Sequence, residues 1–389
     1  MNGRPLVSIV TPSYNQAAFL EQTIRSVLAQ DYPNIEYIVV DGGSTDGSVE
    51  IIKRYADRIA RWVSEPDEGQ SDAINKGFRM ATGEIVAWLN SDDLYFPQTI
   101  SSAVKRFEEN AALGLFYGDC VFVDRDGQFL RYFTEVEPYS AFRLRNCSDF
   151  IMQPTTFFRR DVLLGIGLLD AGLHFAMDWD LWCRFARSGC GVRYEPKLIA
   201  ATRVYPATKT TAGSGPRLDE IKAVWKRYRT AWWPHAVFGF RATEAKRLLD
   251  EPGTSFCQKT WLAVRRFLLR LGNARNVLFD LFRARNLYGM RRRSNRLLRD
   301  ATISLPVYSP VSTLRLTLRN RCLRRQTVSV RIGAGRPEPI ELGGFNVPST
   351  FSFAIPDQVN RSHVVDVRLQ FDRANVFGVA ASLDEVRVA

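Results

Sequence analysis

Residues 84 to 93 read Glu84-Ile85-Val86-Ala87-Trp88-Leu89-Asn90-Ser91-Asp92-Asp93. The apolar run from Ile85 to Leu89 predicts a buried strand over Glu84 to Asn90. Two adjacent carboxylates close the stretch, and such a pair is costly unless a cation neutralises it. Mg²⁺ takes one or two carboxylates together with phosphate oxygens, so a hard divalent ion bridging a diphosphate suits the pair. The plainer alternative is a solvated turn.

The flanking sequence supplies partners for that strand. Val7 to Thr11, Ile35 to Asp41 and Arg61 to Ser64 read as strands, whereas Ala18 to Ala29, Val49 to Ala56 and Ser71 to Ala81 carry helical spacing. Pro97 is expected in the first turn of a further helix that runs to Glu109. Strand and helix alternating at this interval predict βαβ crossovers, and hence an α/β, Rossmann-like domain with a mainly parallel, twisted sheet and helices on both faces. Ligands of such sheets bind outside the carboxyl ends of the strands. Those ends are polar here: Thr11-Pro12-Ser13-Tyr14-Asn15, Asp41-Gly42-Gly43-Ser44-Thr45-Asp46 and Asn90-Ser91-Asp92-Asp93. Singly, Asp46, Ser48 and Asp93 are explained as helix caps or turn formers. Together the acids ring one crevice, which fold stability alone does not require.

A second carboxylate pair lies in Met177-Asp178-Trp179-Asp180-Leu181-Trp182-Cys183-Arg184. On a helix, Leu181, Phe185 and the tryptophans pack, while Asp178 sits in the first turn, either facing the crevice or capping. The three histidines, His174, His235 and His363, are too dispersed for a metal triad or a Ser-His-Asp system, so carboxylates are the acid-base candidates. Six scattered cysteines form no Cys-x-x-Cys pair and read as reduced, packing thiols.

A chain of 389 residues with 46% apolar and 24% charged residues has material for two or three domains and is not globally disordered. No apolar stretch is long enough to span a bilayer. The first residues, Met1-Asn2-Gly3-Arg4-Pro5, form no apolar signal region, which predicts a cytoplasmic location.

The net charge of +12 is concentrated: residues 217 to 300 hold 20 Lys and Arg against 7 Asp and Glu. Trp261, Val264, Leu268 and Leu271, then Val277, Leu278, Leu281, Phe282 and Arg285, alternate there with Arg265, Arg266, Arg270, Arg283 and Arg291 to Arg293. The pattern predicts a pair of basic amphipathic helices, which either pack their apolar stripe on the main domain or rest on an anionic membrane surface. No recognition motif accompanies the charge, so nucleic acid is not expected as a partner. From about Ala301 short alternating runs such as Thr313 to Leu318, Thr327 to Ile332, Phe351 to Ile355 and Val364 to Phe371 predict an all-β sandwich-like module. The expected division is therefore residues 1–215, an α/β domain; 216–300, a basic helical segment; and 301–389, a β module that folds independently and is dispensable for chemistry.

Over residues 6 to 210 the chain resembles the inverting glycosyltransferases of family two, with the GT-A fold, in a bacterial polysaccharide-type subgroup. Val7 to Asn15 is similar to that family's opening strand and nucleotide-contacting loop, which implicates Thr11, Pro12 and Tyr14 in donor binding. Asp41 falls at the place of the base-binding aspartate. Asp67-Glu68-Gly69-Gln70-Ser71-Asp72-Ala73-Ile74-Asn75-Lys76-Gly77 is similar to the diphosphate-side helix, with Asp72 as the donor contact. Asn90-Ser91-Asp92 occupies the Asp-x-Asp place, with Asn90 in the position of the first acid, so Asp92 is the expected metal ligand and Asp93 a donor-side neighbour. Gln153-Pro154-Thr155-Thr156-Phe157-Phe158 resembles the segment lining the crevice, and Asp178 matches the general base. Met177 stands where many members have Glu, and Tyr205 where relatives often have His near the diphosphate.

The resemblance implies a metal-dependent enzyme using Mg²⁺ or Mn²⁺ and a nucleotide-sugar donor. Its acceptor is a glycan or lipid-linked oligosaccharide in polysaccharide biosynthesis, at the cytoplasmic face of the membrane. The processive Gln-x-x-Arg-Trp signature is absent, which points to addition of a single sugar. Two alternatives belong to other classes. A catalytically inactive sugar-binding or scaffold relative has no reason to retain both Asp92 and Asp178. A dinucleotide oxidoreductase needs Gly-x-Gly-x-x-Gly after strand one, whereas Gly42-Gly43-Ser44-Thr45-Asp46-Gly47 follows strand two.

Overall fold

In the computed structural model, residues 3–209, 215–250, 256–272, 288, 290, 296–372, 374 and 379–389 are described. The first unit alternates strand and helix: β1 (Val7–Ser13), α1 (Ala17–Leu28), β2 (Ile35–Asp41), α2 (Ser48–Arg54), β3 (Arg61–Ser64), α3 (Gln70–Met80), β4 (Ile85–Trp88), β5 (Leu94–Tyr95) and α4 (Thr99–Glu109). It continues with β6 (Leu113–Val123), β7 (Phe129–Tyr132), α5 (Ala141–Asn146), a short 3-10 turn (Gln153–Thr155), β8 (Phe157–Arg159), α6 (Arg160–Ile166), α7 (Met177–Ser188) and β9 (Gly191–Arg203). Pro97 lies before α4 rather than in its first turn, because Gln98, in a left-handed conformation at φ 62°, separates the two.

These strands form one sheet in the order β3-β2-β1-β4-β8-β6-β9-β5, with β7 beside β6. The sheet is parallel where the βαβ pattern predicts it, from β3 to β4. Beyond β4 it is mixed: β8 runs antiparallel to β4 and β6, and β5 antiparallel to β9. Alternation along the strands splits the apolar residues between two faces. Val10, Ile38, Val40 and Trp88 join one core, and Ile9, Tyr37, Val39 and Ala87 the other.

Three helices follow: α8 (Gly215–Tyr228), α9 (His235–Asp250) and α10 (Phe256–Gly272). The second basic stripe, with Val277, Leu278, Leu281, Phe282, Arg283, Arg285 and Arg291 to Arg293, lies outside the described residues. Helix α8 is fastened to the first unit. Its Glu220 accepts from backbone N–H groups just before α7, and Arg145 Nε donates to Tyr228 O (3.0 Å).

The C-terminal part is a two-sheet antiparallel sandwich. One sheet joins β10 (Arg296–Leu298), β17 (Val379–Val388), β12 (Thr313–Asn320) and β15 (Pro348–Ala354). The other joins β11 (Asp300–Pro306), β16 (Val364–Phe371), β13 (Gln326–Ile332) and β14 (Glu338–Leu342), with α11 (Asp357–Ser362) leading into β16. Its core is continuous with one face of the α/β sheet, since Ile303, Leu305, Val307 and Leu316 belong to the same buried cluster as Val10 and Trp88. Polar contacts seal the joint. Tyr308 OH donates to Tyr95 O (2.6 Å), and Tyr132 OH donates to Thr302 O (2.9 Å) while accepting from Ser304 N (3.1 Å). The Gln128 amide pairs with both backbone groups of Val388.

Candidate active site

The carboxyl ends of β1, β2 and β4 lie side by side, where sheets of this kind offer a crevice to ligands. At its first end Tyr14 leaves β1 with 62% of its surface exposed. A Cβ at Gly42 would stand 2.4 Å from Asp67 Oδ2 and 3.3 Å from Tyr14 Cδ2, so only glycine lets these two side chains approach across it. Thr11, hydrogen-bonded by Tyr37 OH (3.1 Å), and Pro12 are buried beneath.

Asp41, expected at the nucleotide, is wholly buried. It accepts from Gly43 N, Ser44 N, Ser44 Oγ and Ser64 Oγ at 2.6–3.1 Å. Its carboxylate is spent on the turn that shapes the pocket, and Asp67 is the acid beside Tyr14. Asp72 accepts weakly from Glu68 N (3.3 Å) and pairs with Lys76 (3.4 Å) at the start of α3, where a carboxylate also suits the helix dipole.

The middle of the crevice is organised by Asn90. Its amide donates to Gln153 Oε1 (2.9 Å) and Asp93 Oδ2 (3.2 Å), and its carbonyl accepts from Gln70 Nε2 (2.9 Å). Gln153 in turn donates to Trp88 O (2.8 Å), and Lys209 Nζ donates to Gln70 Oε1 (3.1 Å). The two adjacent acids face opposite ways. Asp93 turns inward, a correction to its expected place at the donor: it is buried and accepts from Arg203 N (3.2 Å), and burial together with the Asp92 charge holds its carboxyl well above the usual range. Ser91 is buried as well, and its carbonyl accepts from Thr23 Oγ1 (2.8 Å).

Asp92 is only partly buried, and its Oδ2 accepts from Tyr205 OH (3.0 Å). Loss of water raises its carboxyl, against the pull of Tyr205 and Arg203. The Tyr205 phenol is pushed up to about 12 by burial and by the Asp92 charge.

Helix α7 reaches the crevice because Trp182 stacks on Trp88 of β4, with centroids 5.6 Å apart and an interplanar angle of 19°. Asp178 lies one turn earlier on the same face of α7. Its Oδ1 accepts from Trp179 N (2.8 Å), and among the described residues no other residue's hydrogen bond to this carboxylate accompanies it. Asp149 lies close enough to couple with it. Loss of water in the crevice raises both carboxyls, the Asp178 charge adds to the rise at Asp149, and Arg217 and Lys209 oppose the rise at Asp178. Asp180 is different: buried, it accepts from Arg184 Nε (2.9 Å), Arg227 Nη1 (2.8 Å) and Tyr228 OH (2.8 Å), a structural lock with no free oxygen.

Lys209, Asp149 and Arg217 carry no motif of their own. Only the separations between Lys209 and Gln70 and between Asp149 and Asp178, both bridged by the fold, bring them to the crevice. Asp67 stands in a quoted motif, and its place beside Tyr14 follows from Gly42.

The family model of Glycosyl transferase family 2 matches residues 8–167. The uncharacterized glycosyltransferase RT0329 of Rickettsia typhi is 32% identical over 238 residues, which are 58% of this chain and 71% of that protein. The uncharacterized glycosyltransferase Rv1514c of Mycobacterium tuberculosis is 29% identical over 217 residues, 51% of this chain and 82% of that protein. Among solved structures, S. aureus TarS 1-349 in complex with UDP-GlcNAc superposes with a TM-score of 0.47 at 16% identity, covering 71% of this chain and 75% of that one. The mannosyltransferase PcManGT from Pyrobaculum calidifontis, in complex with GDP-Man and Mn²⁺, gives 0.44 at 21% identity, covering 72% and 88%. The chain belongs to glycosyltransferase family 2, a GT-A-type α/β unit followed by an antiparallel β module.

Proposed function

We propose that the chain transfers one sugar from a nucleoside-diphosphate sugar to a hydroxyl of a glycan or lipid-linked acceptor, inverting the anomeric carbon, in polysaccharide biosynthesis. The observation that carries this reading is the bridge made by Lys209. It donates to Gln70, which holds Asn90 beside Asp92, and its charge acts on Asp178. One cation thus links the expected diphosphate end to the expected base.

In this reading Tyr14 and Asp67 hold the nucleoside, and Lys209 lies along the diphosphate. Asp178 Oδ2 accepts the proton of the acceptor hydroxyl while that oxygen attacks the anomeric carbon from the face opposite the diphosphate. The new glycosidic bond forms as the bond to the diphosphate oxygen breaks, so no protein nucleophile is needed. Asp92 fits a divalent cation. Loss of water raises its carboxyl despite Tyr205 and Arg203, and among the described residues Oδ1 accepts no hydrogen bond from another residue. Among those residues no three His, Cys, Asp or Glu side chains gather, so Asp92 and the donor's own phosphate oxygens would hold Mg²⁺ or Mn²⁺, whose charge offsets that developing on the leaving diphosphate.

The test is release of nucleoside diphosphate from a panel of uridine and guanosine diphosphate sugars with Mg²⁺ or Mn²⁺. Asp178→Asn should bind nucleoside diphosphate as the parent does and lose turnover by about 10²-fold or more. Full turnover in that variant sinks the base assignment, and binding without turnover in the parent favours an inactive sugar-binding relative.

Helix α10 supports a peripheral position on an anionic membrane. Trp261, Val264, Phe267 and Leu268 are exposed by 60%, 54%, 62% and 59%, and the helix carries Lys259, Arg265, Arg266 and Arg270 without an acid. Among the described residues no helix is long and apolar enough to cross a membrane. An interfacial helix combines such an apolar face with basic residues.

A further inference from the structure

Helix α8 lies beyond the stretch that the family model matches, yet it grips the helix that carries Asp178. Ile221, Val224 and Tyr228 bury one face of α8, and Arg217 and Glu220 continue that face toward its first turn. Glu220 Oε1 accepts from His174 N (2.9 Å), and Oε2 accepts from Phe175 N (2.6 Å) and Ala176 N (3.0 Å). Three consecutive N–H groups therefore converge on one carboxylate, a backbone anion site filled by the protein itself. Those residues lead directly into α7, whose second residue is Asp178. One turn before Glu220, Arg217 attracts both Asp178 and Asp149. Further along the same helix, Arg227 and Tyr228 bind Asp180.

A helix that merely covered apolar surface would need no such clamp, since the buried side chains of α8 already supply adhesion. A carboxylate tied to three amides fixes where the following turn begins, and a shift of about 1 Å in a reacting group can cost on the order of 10²-fold in rate. We propose that α8 is a positioning element of the active site, in which Glu220 holds the backbone from which Asp178 projects and Arg217 balances the charge of the Asp149–Asp178 pair. This rests on the reading of Asp178 as the general base.

The full chain is tested with the sugar nucleotide that it turns over in the screen above, and with UDP and GDP as binding probes. Glu220→Gln puts an NH₂ group against backbone donors. It should lower kcat by about 10-fold or more, leave the affinity for UDP or GDP within about twofold, and speed hydrogen exchange at residues 174–176. Glu220→Asp, which keeps the charge on a shorter stem, should recover part of the loss. The charged groups acting on Asp178 are Asp149, Lys209 and Arg217, and Glu220 acts in turn on Lys209. With Arg217→Gln one attraction for the ionised form is gone, so the acid limb of the kcat profile should move to higher pH, and Arg217→Lys should move it back.

Unchanged kcat in a folded Glu220→Gln, together with an unmoved acid limb in Arg217→Gln, overturns the proposal. If Glu220→Gln does not fold, the milder Glu220→Asp decides: a kcat and a hydrogen-exchange rate at residues 174–176 equal to the parent's overturn the proposal. Turnover surviving in Asp178→Asn instead overturns the base assignment, a separate outcome from any result at α8.

Discussion

Asn90 occupies the place where the family resemblance puts an acid, and its hydrogen bonds explain an amide there. It donates to the inward-facing Asp93 and to Gln153 and accepts from Gln70, a combination that no carboxylate can make. We predict that Asn90→Asp lowers stability by about 1–3 kcal/mol in denaturant unfolding at pH 7, through the lost donors and the charge set beside Asp93. The deficit should shrink as the pH falls and Asp93 keeps its proton.

The Asp149–Asp178 pair has its own linkage. Both carboxyls are held above their ordinary range, so between the unfolded and folded pKa values the native state binds more protons, and stability falls as pH rises through that window. Asp149→Asn should therefore raise the unfolding midpoint at pH 7 and lose that advantage near pH 4. Asp149 is crowded by protein on one side and exposed on the other, and that residual solvent holds the effect below about 1 kcal/mol.

At the scale of single elements, α10 presents apolar and basic side chains together, with Arg265 lying 5.1 Å over the Trp261 ring. Apolar insertion and charge attraction should reinforce each other on an anionic bilayer. Vesicle co-sedimentation should rise with the fraction of anionic lipid and weaken with salt, because charges at the surface are screened over roughly 8 Å at physiological ionic strength. Exchanging Arg265, Arg266 and Arg270 for Glu should abolish binding while donor hydrolysis in solution survives. Indifference of the parent chain to anionic vesicles at low salt would instead assign α10 to packing.

At the scale of the whole molecule, the β module is joined to the α/β sheet by a shared core and by buried hydroxyls. Removing residues 296–389 would uncover Tyr132 and Tyr95 and strip Ser304 and Thr302 from the Tyr132 hydroxyl. The sequence pattern alone reads this module as dispensable, whereas the contacts lead us to predict a truncated chain that is poorly soluble. Tyr308→Phe isolates one bond of the joint. It leaves Tyr95 O without this buried donor and should cost about 1 kcal/mol, measured as a lower unfolding midpoint with donor binding unchanged. A soluble truncation with full donor hydrolysis would show that the joint is not needed for the chemistry.

What the sequence determined by itself is what local periodicity encodes. Strands β2 and β3 end at the residues where the apolar pattern ends, and the alternating runs after Ala301 form the sandwich. A period of two or 3.6 is a property of neighbouring residues, legible without the fold. The crevice acids were legible too, as polar strand ends, but their directions were not. Asp41 and Asp93 turn inward because backbone N–H groups at Gly43, Ser44 and Arg203 await them there. Likewise β8 enters the sheet antiparallel, and Lys209, Asp149, Arg217 and Glu220 reach the region around Asp178 from separate segments. Such placements rest on contacts between residues far apart in the chain, and these exist only once the sheet and helices have packed.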